Sequence, residues 1–152
     1  MTQSCFICDR INLIKTGENR YFVKELETGN IVFCDYQFYK GYTIFISKIH
    51  THEPHLLDSK LRDLFLHEMA LVGEAVYKTF NPQKLNYELL GNSDSHLHFH
   101  LIPRHKDDIN PKTAIWVIEK SIRCSIETVP TDSELREMKR RLIREASQSK
   151  VK

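Results

Sequence analysis

The sequence predicts an α+β fold, and three observations predict it. Five short stretches carry strand-type residues: Arg20 to Glu27, Ile31 to Asp35, Tyr42 to Ile46, Leu85 to Leu90 and His96 to Ile102. One long run between the third and fourth, from about Asp58 to Phe80, has a helical period. A second helical pattern follows Thr131. Strands and helices mixed in this order fit α+β better than alternating βαβ units in a doubly wound sheet.

Taken in order, Arg20–Glu27 and Ile31–Asp35 flank Thr28-Gly29-Asn30 and read as a hairpin closed by that turn. Tyr42-Thr43-Ile44-Phe45-Ile46 is β-branched and aromatic, the composition of a buried strand. In the long run, Leu57, Leu61, Leu64, Phe65, Met69, Val72 and Val76 recur three and four residues apart and form one apolar face. Asp58 or Ser59 can cap its start, and Asn81-Pro82 stops it. Leu85–Leu90 is a strand, Gly91 to Ser95 a polar loop, and Pro103 is expected to end the strand that follows. Ala114 to Ile118 reads as extended. Thr131-Asp132-Ser133-Glu134 fits a capping box that opens a helix with Leu135, Met138, Leu142 and Ala146 on one stripe. Ser147 to Lys152 should fray. Residues 1–130 thus form one domain, and 131–152 a helix and tail packed on it or extending it.

The bulk numbers narrow the function classes. A chain of 152 residues with 41% hydrophobic and 28% charged residues is an ordinary globular domain, neither fibrous nor disordered. A net charge of +2 recommends no nucleic-acid partner. Arg136, Lys139, Arg140, Arg141 and Arg144 on the last helix read as a solvated face, and Trp116 as packing rather than stacking on a base. The start, Met1 to Phe6, lacks the basic-then-apolar pattern of a leader, and no apolar run is long enough to span a bilayer. A cytoplasmic, membrane-free protein is expected, and there four cysteines are thiols or metal ligands rather than disulfides.

The chemistry concentrates in His96-Leu97-His98-Phe99-His100-Leu101-Ile102. On a strand, successive side chains point to opposite faces, so the three imidazoles share one face and the apolar residues the other. Imidazole acts as nucleophile, base or ligand near neutral pH. One such histidine would be unremarkable, whereas three clustered on a face mark a reaction site. A three-histidine metal site is the sharper competitor. Alternate residues on a strand stand about 6.5 Å apart, so at most two adjacent imidazoles share an ion comfortably. Nucleophilic or acid–base work suits the strand better.

This motif, His-φ-His-φ-His-φ-φ with φ apolar, resembles the signature of the histidine triad (HIT) superfamily at every position. The likeness runs from Cys5-Phe6-Ile7-Cys8 to about Arg104, through Lys40-Gly41, Lys48-Ile49-His50 and the Gly91-Asn92-Ser93 loop. It implies a HIT-like fold, a mainly antiparallel sheet of about five strands with one long helix and a C-terminal helix. It also implies nucleotidyl chemistry. His98 would attack an α-phosphorus and form a nucleotidyl-histidine intermediate, which water or another acceptor then releases. The carbonyl of His96 would hold Nδ1–H of His98, and His100 would donate to a phosphate oxygen. By the same resemblance Asn92 and Ser93 form a phosphate-contacting loop, Asp35 accepts from the ribose hydroxyls, and Phe6, Ile7 and Phe33 contribute to a base pocket. A simple turn and a strand-ending aspartate are the plainer readings of those polar residues.

The sequence departs from the family pattern at one place. Many members have a histidine directly after the glycine at position 41, where this chain has Tyr42, and the segment from Asp35 to Gly41 is one residue short. A phenol is a weaker general acid than imidazolium, so leaving groups that depart unaided, such as nucleoside polyphosphates, are expected over amines.

Cys5-x-x-Cys8 has zinc-ligand spacing, but half a site alone leaves redox and chance pairings open. Members with such a pair often complete a Cys2His2 site with two histidines, here matching His50 and the first triad histidine, His96. His52 and His55 crowd the same segment as alternatives to His50. The implied Zn2+ is structural, with four protein ligands and no open position. Mg2+ is expected only as the companion of a polyphosphate substrate. The leading reading is a hydrolase of dinucleoside polyphosphates or related nucleotide conjugates, working as a homodimer. Nucleotidyl transferase or phosphorylase activity and a nucleotide-binding regulatory module without turnover are the alternatives.

Overall fold

A computed structural model describes residues 5–149. Residues 1–4, read above for a leader, and 150–152, the end of the expected frayed tail, lie outside the described part. The elements are α1 (Phe6–Thr16), β1 (Phe22–Glu25), β2 (Gly29–Phe33), β3 (Thr43–Ser47), α2 (Ser59–Phe80), β4 (Lys84–Glu88), β5 (His98–Arg104), α3 (Lys120–Arg123) and α4 (Asp132–Gln148). The fold is α+β, as expected. Its five strands form one antiparallel sheet in the order β1-β2-β3-β5-β4.

Each face of the sheet has its own cover. Phe45 stands opposite Ile31 on one side and Phe99 on the other, and strand alternation turns these residues, with Phe33 and Leu101, to one face. There they meet Phe65, Val72 and Val76 of α2 and Leu135, Met138 and Leu142 of α4. On the opposite face Val32 and Ile46 pack under Ile7 and Ile11 of α1. His98 is opposite Ile46, and His100 opposite Ile44. The register therefore places both histidines on the face that α1 covers, away from the main core.

Helix α1 is a correction, because the sequence reading began the structured chain at the hairpin. Ile7, Ile11 and Ile14 have helical spacing, and all three pack against the sheet. Gly17 ends the helix in the left-handed region at φ 79°, and the amides of Glu18 and Asn19 return to the Leu13 carbonyl. Burying Ile7 and Ile11 contributes about 1.5–3 kcal/mol each and fastens the helix over the site. The first cysteine is its N-cap: Sγ of Cys5 accepts from the amide of Cys8 at 3.4 Å.

The hairpin turn also sits one step earlier than expected. Gly29 and Asn30 belong to β2, paired with Ser47 and Ile46, and the bend runs through Leu26, Glu27 and Thr28. A Cβ at Gly29 would stand 2.5 Å from the Phe45 ring, so glycine serves close packing there rather than the turn. The bend is held by Glu68 of α2, a buried carboxylate that accepts from the amides of Glu27 and Thr28, each at 2.9 Å.

Two further differences concern strand ends and a third an expected extended segment. Pro103 lies inside β5 instead of ending it. The alternation that points the Leu97 carbonyl at Ser47 of β3 sends the Pro103 nitrogen to the same side, past Thr43, where the pairing with β3 has ended and no ladder bond is asked of it. β4 ends at Glu88 rather than Leu90. Residues 114–118 contain a 3-10 turn at Ile115–Val117 instead of an extended segment, followed by α3 and a second turn at Ile126–Thr128.

Helix α2 starts at the Asp58 cap, whose side chain accepts from Leu61, and stops at Asn81 in the left-handed region. Helix α4 opens on the expected Thr131/Glu134 capping box. It packs against α2 and β1 and stays helical through Ser147 and Gln148.

Candidate active site

The three histidines do not act as equals. The sheet pairing begins at His98, and His96 sits just before it, where the chain leaves the loop. The residue is 1% exposed, and its ring nitrogens meet Ser47, Cys5 and Cys8. Nε2 of His96 lies 2.8 Å from the carbonyl oxygen of Ser47. A carbonyl can only accept, so the proton is on Nε2 and Nδ1 keeps its lone pair. Burial lowers the basicity of this ring, which favours the same neutral form.

That free Nδ1 faces the two N-terminal cysteines. It lies 3.6 Å from Sγ of Cys5 and 3.5 Å from Sγ of Cys8, and Nδ1 of His50 lies 3.2 Å from Sγ of Cys8. All four donor atoms fall within 4.8 Å of one another. Two thiolates and two imidazoles around tetrahedral zinc require sulfur–nitrogen separations of about 3.6 Å, so donor set and spacing both fit Zn2+. His50 is the member of the His50/His52/His55 segment that joins the cluster. His52 stands beside it, with ring centroids 5.7 Å apart. The carbonyl of Ser47 supplies the second-sphere contact that fixes a ligand histidine.

His98 and His100 face each other instead. Nδ1 of His98 is 2.6 Å from the carbonyl oxygen of His96, so it donates there and leaves Nε2 unprotonated. Nε2 of His100, 3.0 Å away, donates to that lone pair. Nδ1 of His100 must then accept, and the Tyr42 hydroxyl at 2.7 Å is its donor. Every ring proton is thereby assigned by the network. Burial, with His98 adding to it, pushes the His100 imidazole down to about 3. Burial likewise raises the Tyr42 phenol well above its usual range. Both shifts favour the neutral forms of His100 and Tyr42, which join His98 in one hydrogen-bonded chain.

Two cavities meet at this pair. One of about 230 Å3 has Phe6 and Ile7 of α1 on one wall, Phe33 and Asp35 on another, and Ile44, His98 and His100 among the rest of its lining. It brings together Phe6, Phe33 and Asp35 with the histidines. The second, about 420 Å3, has the Gly91-Asn92-Ser93-Asp94 loop on one side and Trp116, Lys120 and Arg123 on the other. Asn92 and Ser93 therefore share a cavity with His98 and His100.

Sequence reasoning missed several residues here. Arg10 of α1 makes a paired salt bridge to both oxygens of Asp35, one contact at 2.9 Å. It lay unread because α1 itself went unread. Trp116 is a correction: it is 39% exposed and lines the second cavity, rather than being packed away. Its indole N–H donates to Glu88 at 2.6 Å, and its ring meets His100 edge-on with centroids 5.5 Å apart. Lys120 and Arg123 had no signal beyond their charge.

The family model for the HIT domain matches residues 29–107. Among solved structures, a histidine triad protein from Bradyrhizobium japonicum superposes with TM-score 0.72 at 19% identity, over 82% of this chain and 88% of that one. A histidine triad protein from Sinorhizobium meliloti gives 0.73 at 20% identity, over 86% and 93%. A zinc-bound histidine triad family protein from Mycobacterium smegmatis gives 0.66 at 19% identity, over 95% and 94%. These likenesses are of fold. Among curated proteins, none matches the sequence. No helix among the described residues is long and apolar enough to cross a membrane.

Proposed function

The chain belongs to the HIT domain family, and from that premise we propose that it is a nucleotide hydrolase cleaving at an α-phosphate through a nucleotidyl-histidine intermediate on His98. The observation that carries the reading is the bond from Nδ1–H of His98 to the His96 carbonyl, which leaves Nε2 with a lone pair at the junction of two cavities.

The nucleoside lies in the smaller cavity, its base against Phe6 and Phe33 and its ribose toward Asp35. The carboxylate oxygens each accept from Arg10 and retain lone pairs for the diol. Nε2 of His98 forms a bond to phosphorus as the bond to the leaving oxygen breaks, and the electron pair stays on that oxygen. The N–H of His100 turns from His98 to a phosphoryl oxygen, where charge develops. Asn92 and Ser93 approach the same oxygens from the loop. Water then adds to phosphorus, the phosphorus–nitrogen bond returns its pair to Nε2, and a proton leaves to solvent.

Cys5, Cys8, His50 and His96 would hold zinc, which supplies no reacting position but ties α1 to the segment that orients His98. A dinucleoside polyphosphate or related conjugate is the substrate class, and Mg2+ accompanies its phosphates. A homodimer and a reducing, cytoplasmic setting suit the family and the four free thiols.

The test is a rapid quench with a panel of nucleotides, followed by mass spectrometry of the peptide containing His98. A nucleotidyl adduct on His98 is expected during turnover. Turnover with His98 never labelled overturns the mechanism. Running the reaction with and without phosphate shows whether water alone resolves the adduct.

A further inference from the structure

The larger of these two cavities shares His98 and His100 with the nucleoside pocket, and Trp116, Lys120 and Arg123 in its lining fall beyond the stretch matched by the family model. Three features there have no role in the chemistry so far. Lys120 and Arg123 form no salt bridge among the described residues, and the only acid in the lining is Asp94. The Nε–H of Arg123 is buried without an acceptor, which is costly for a charged donor. Trp116, the single tryptophan of the chain, is held by its bond to Glu88, has the Arg123 guanidinium 4.9 Å from its ring centre, and still leaves 39% of itself open.

The other side of the reaction needs what these residues offer. Tyr42 already spends its proton on His100, and His100 spends its own on His98. In this resting chain neither of those protons points at the departing atom, which favours a leaving group that goes as an anion. Breaking the bond between α-phosphorus and the bridging oxygen leaves the pair on that oxygen, within a phosphate that needs no proton to depart. An amine leaving group would need one.

We propose that the cavity bounded by Trp116, Lys120 and Arg123 is the leaving-group site, shaped for a nucleoside phosphate whose phosphates meet the two cations and whose base lies against Trp116. This deepens the hydrolase reading and rests on the nucleoside occupying the smaller cavity. The two cations favour an anionic chain leaving the histidines in this direction. The indole supplies an aromatic face that any base can use. The hydrolysis then yields a nucleoside monophosphate from one cavity and a nucleoside phosphate shorter by one phosphorus from the other.

The single tryptophan makes the site directly readable. A panel of nucleoside monophosphates selects the preferred base by calorimetry. The methylene-bridged dinucleoside polyphosphate of that base is then titrated beside the monophosphate, following Trp116 fluorescence and affinity. The dinucleotide should perturb Trp116 more and bind more tightly, and K120A/R123A should shrink its advantage about tenfold. Because Arg123 is partly buried, K120E at the exposed neighbouring cation is the second variant, and it should shrink the advantage at least as far. Equal binding of the two ligands, or an advantage that survives both variants, overturns the site. Turnover is compared between the dinucleotide and a nitrophenyl ester of the monophosphate, which has the same nucleotidyl group and no leaving phosphate. The ratio of kcat/KM, dinucleotide over ester, should fall about tenfold in the variants. Equal loss on both substrates refutes the leaving-group site and leaves the hydrolase reading standing. A binding advantage lost in the variants, with neither substrate turned over by the wild type, supports the site and refutes the hydrolase reading.

Discussion

The carbonyl oxygen of His96 accepts a 2.6 Å hydrogen bond from Nδ1 of His98, while the imidazole of the same His96 turns to Cys5 and Cys8. One residue thus orients the proposed nucleophile with its backbone and completes the four-donor cluster with its side chain. His98→Ala removes the proposed nucleophile and leaves His96 in place. Turnover should fall by about 10^4-fold or more, with zinc content unchanged and no nucleotidyl adduct formed. Residual turnover within a hundredfold of wild type, by steady-state assay, would contradict the covalent route.

Zinc loss should be felt at a distance. Cys8→Ser removes one of the four donors at the start of α1. The four donors come together only in the folded chain, so metal binding favours that state, and its loss should cost about 3–4 kcal/mol where free metal exceeds Kd a hundred- to a thousandfold. Denaturant titration with and without chelator measures it. The difference between wild type and C8S should vanish once chelator has stripped the metal. Metal analysis of protein purified without added metal or chelator should find about one zinc per chain in wild type, and its absence there would refute the site.

Tyr42 stands where many family members have histidine, and its hydroxyl donates to Nδ1 of His100 at 2.7 Å. Tyr42→Phe leaves a buried acceptor unmet, which should cost about 1–3 kcal/mol of stability. It also frees His100 to carry its proton on either nitrogen, so kcat should fall while KM changes little. Tyr42→His should raise kcat/KM for an adenylated amine relative to a dinucleoside polyphosphate, because an imidazolium can protonate the amine. A wild-type preference for the adenylated amine would overturn the leaving-group reading of this residue.

Stability should weaken in mild acid. Burial holds His100 down at about 3 in the folded chain, while the unfolded chain takes up a proton near 6.5. The unfolded state therefore binds more protons throughout that window. The contribution of His100 is fully present above pH 6.5 and is lost as pH falls toward 3, at up to about 1.4 kcal/mol per pH unit. Urea midpoints from pH 7.5 to 4.5 should decline, and His100→Asn should flatten the slope. A wild-type midpoint that does not change over this range would contradict it.

Elements with long periods were legible in the sequence. Helix α2 and its Asp58 cap and helix α4 and its capping box appear where apolar spacing and cap chemistry put them, and five strands form in the expected order with shifted ends. Helix α1 escaped because only Ile7, Ile11 and Ile14 mark its buried face, over eleven residues, beside a cysteine pair that invites a metal reading first. Gly29 misled because a glycine before asparagine signals a turn, whereas here the missing side chain makes room for the Phe45 ring. At the site, strand alternation found the histidine face, but not that His96 leaves the strand. Arg10, Trp116, Lys120 and Arg123 reach the site only through tertiary packing, which no local pattern encodes.

Arg10 makes the last of these contacts testable. Both oxygens of Asp35 accept from its guanidinium, and the side chain of Arg10 is 20% exposed against 36% for Asp35. The guanidinium carbon also sits 5.6 Å from the ring centre of Phe6, and all three residues line the proposed nucleoside cavity. Arg10 is therefore a positioning residue that aims the carboxylate and steadies the aromatic wall, without touching the reacting phosphorus. Arg10→Ala should raise KM for nucleotides about tenfold, since a charge-assisted pair that fixes a ligand-binding carboxylate is worth about 1.5–3 kcal/mol. The chemical step on bound substrate should slow far less. Arg10→Lys keeps the charge but loses the two-point geometry, so it should recover only part of the affinity. A fall in single-turnover rate with KM unchanged would instead place Arg10 in the chemistry.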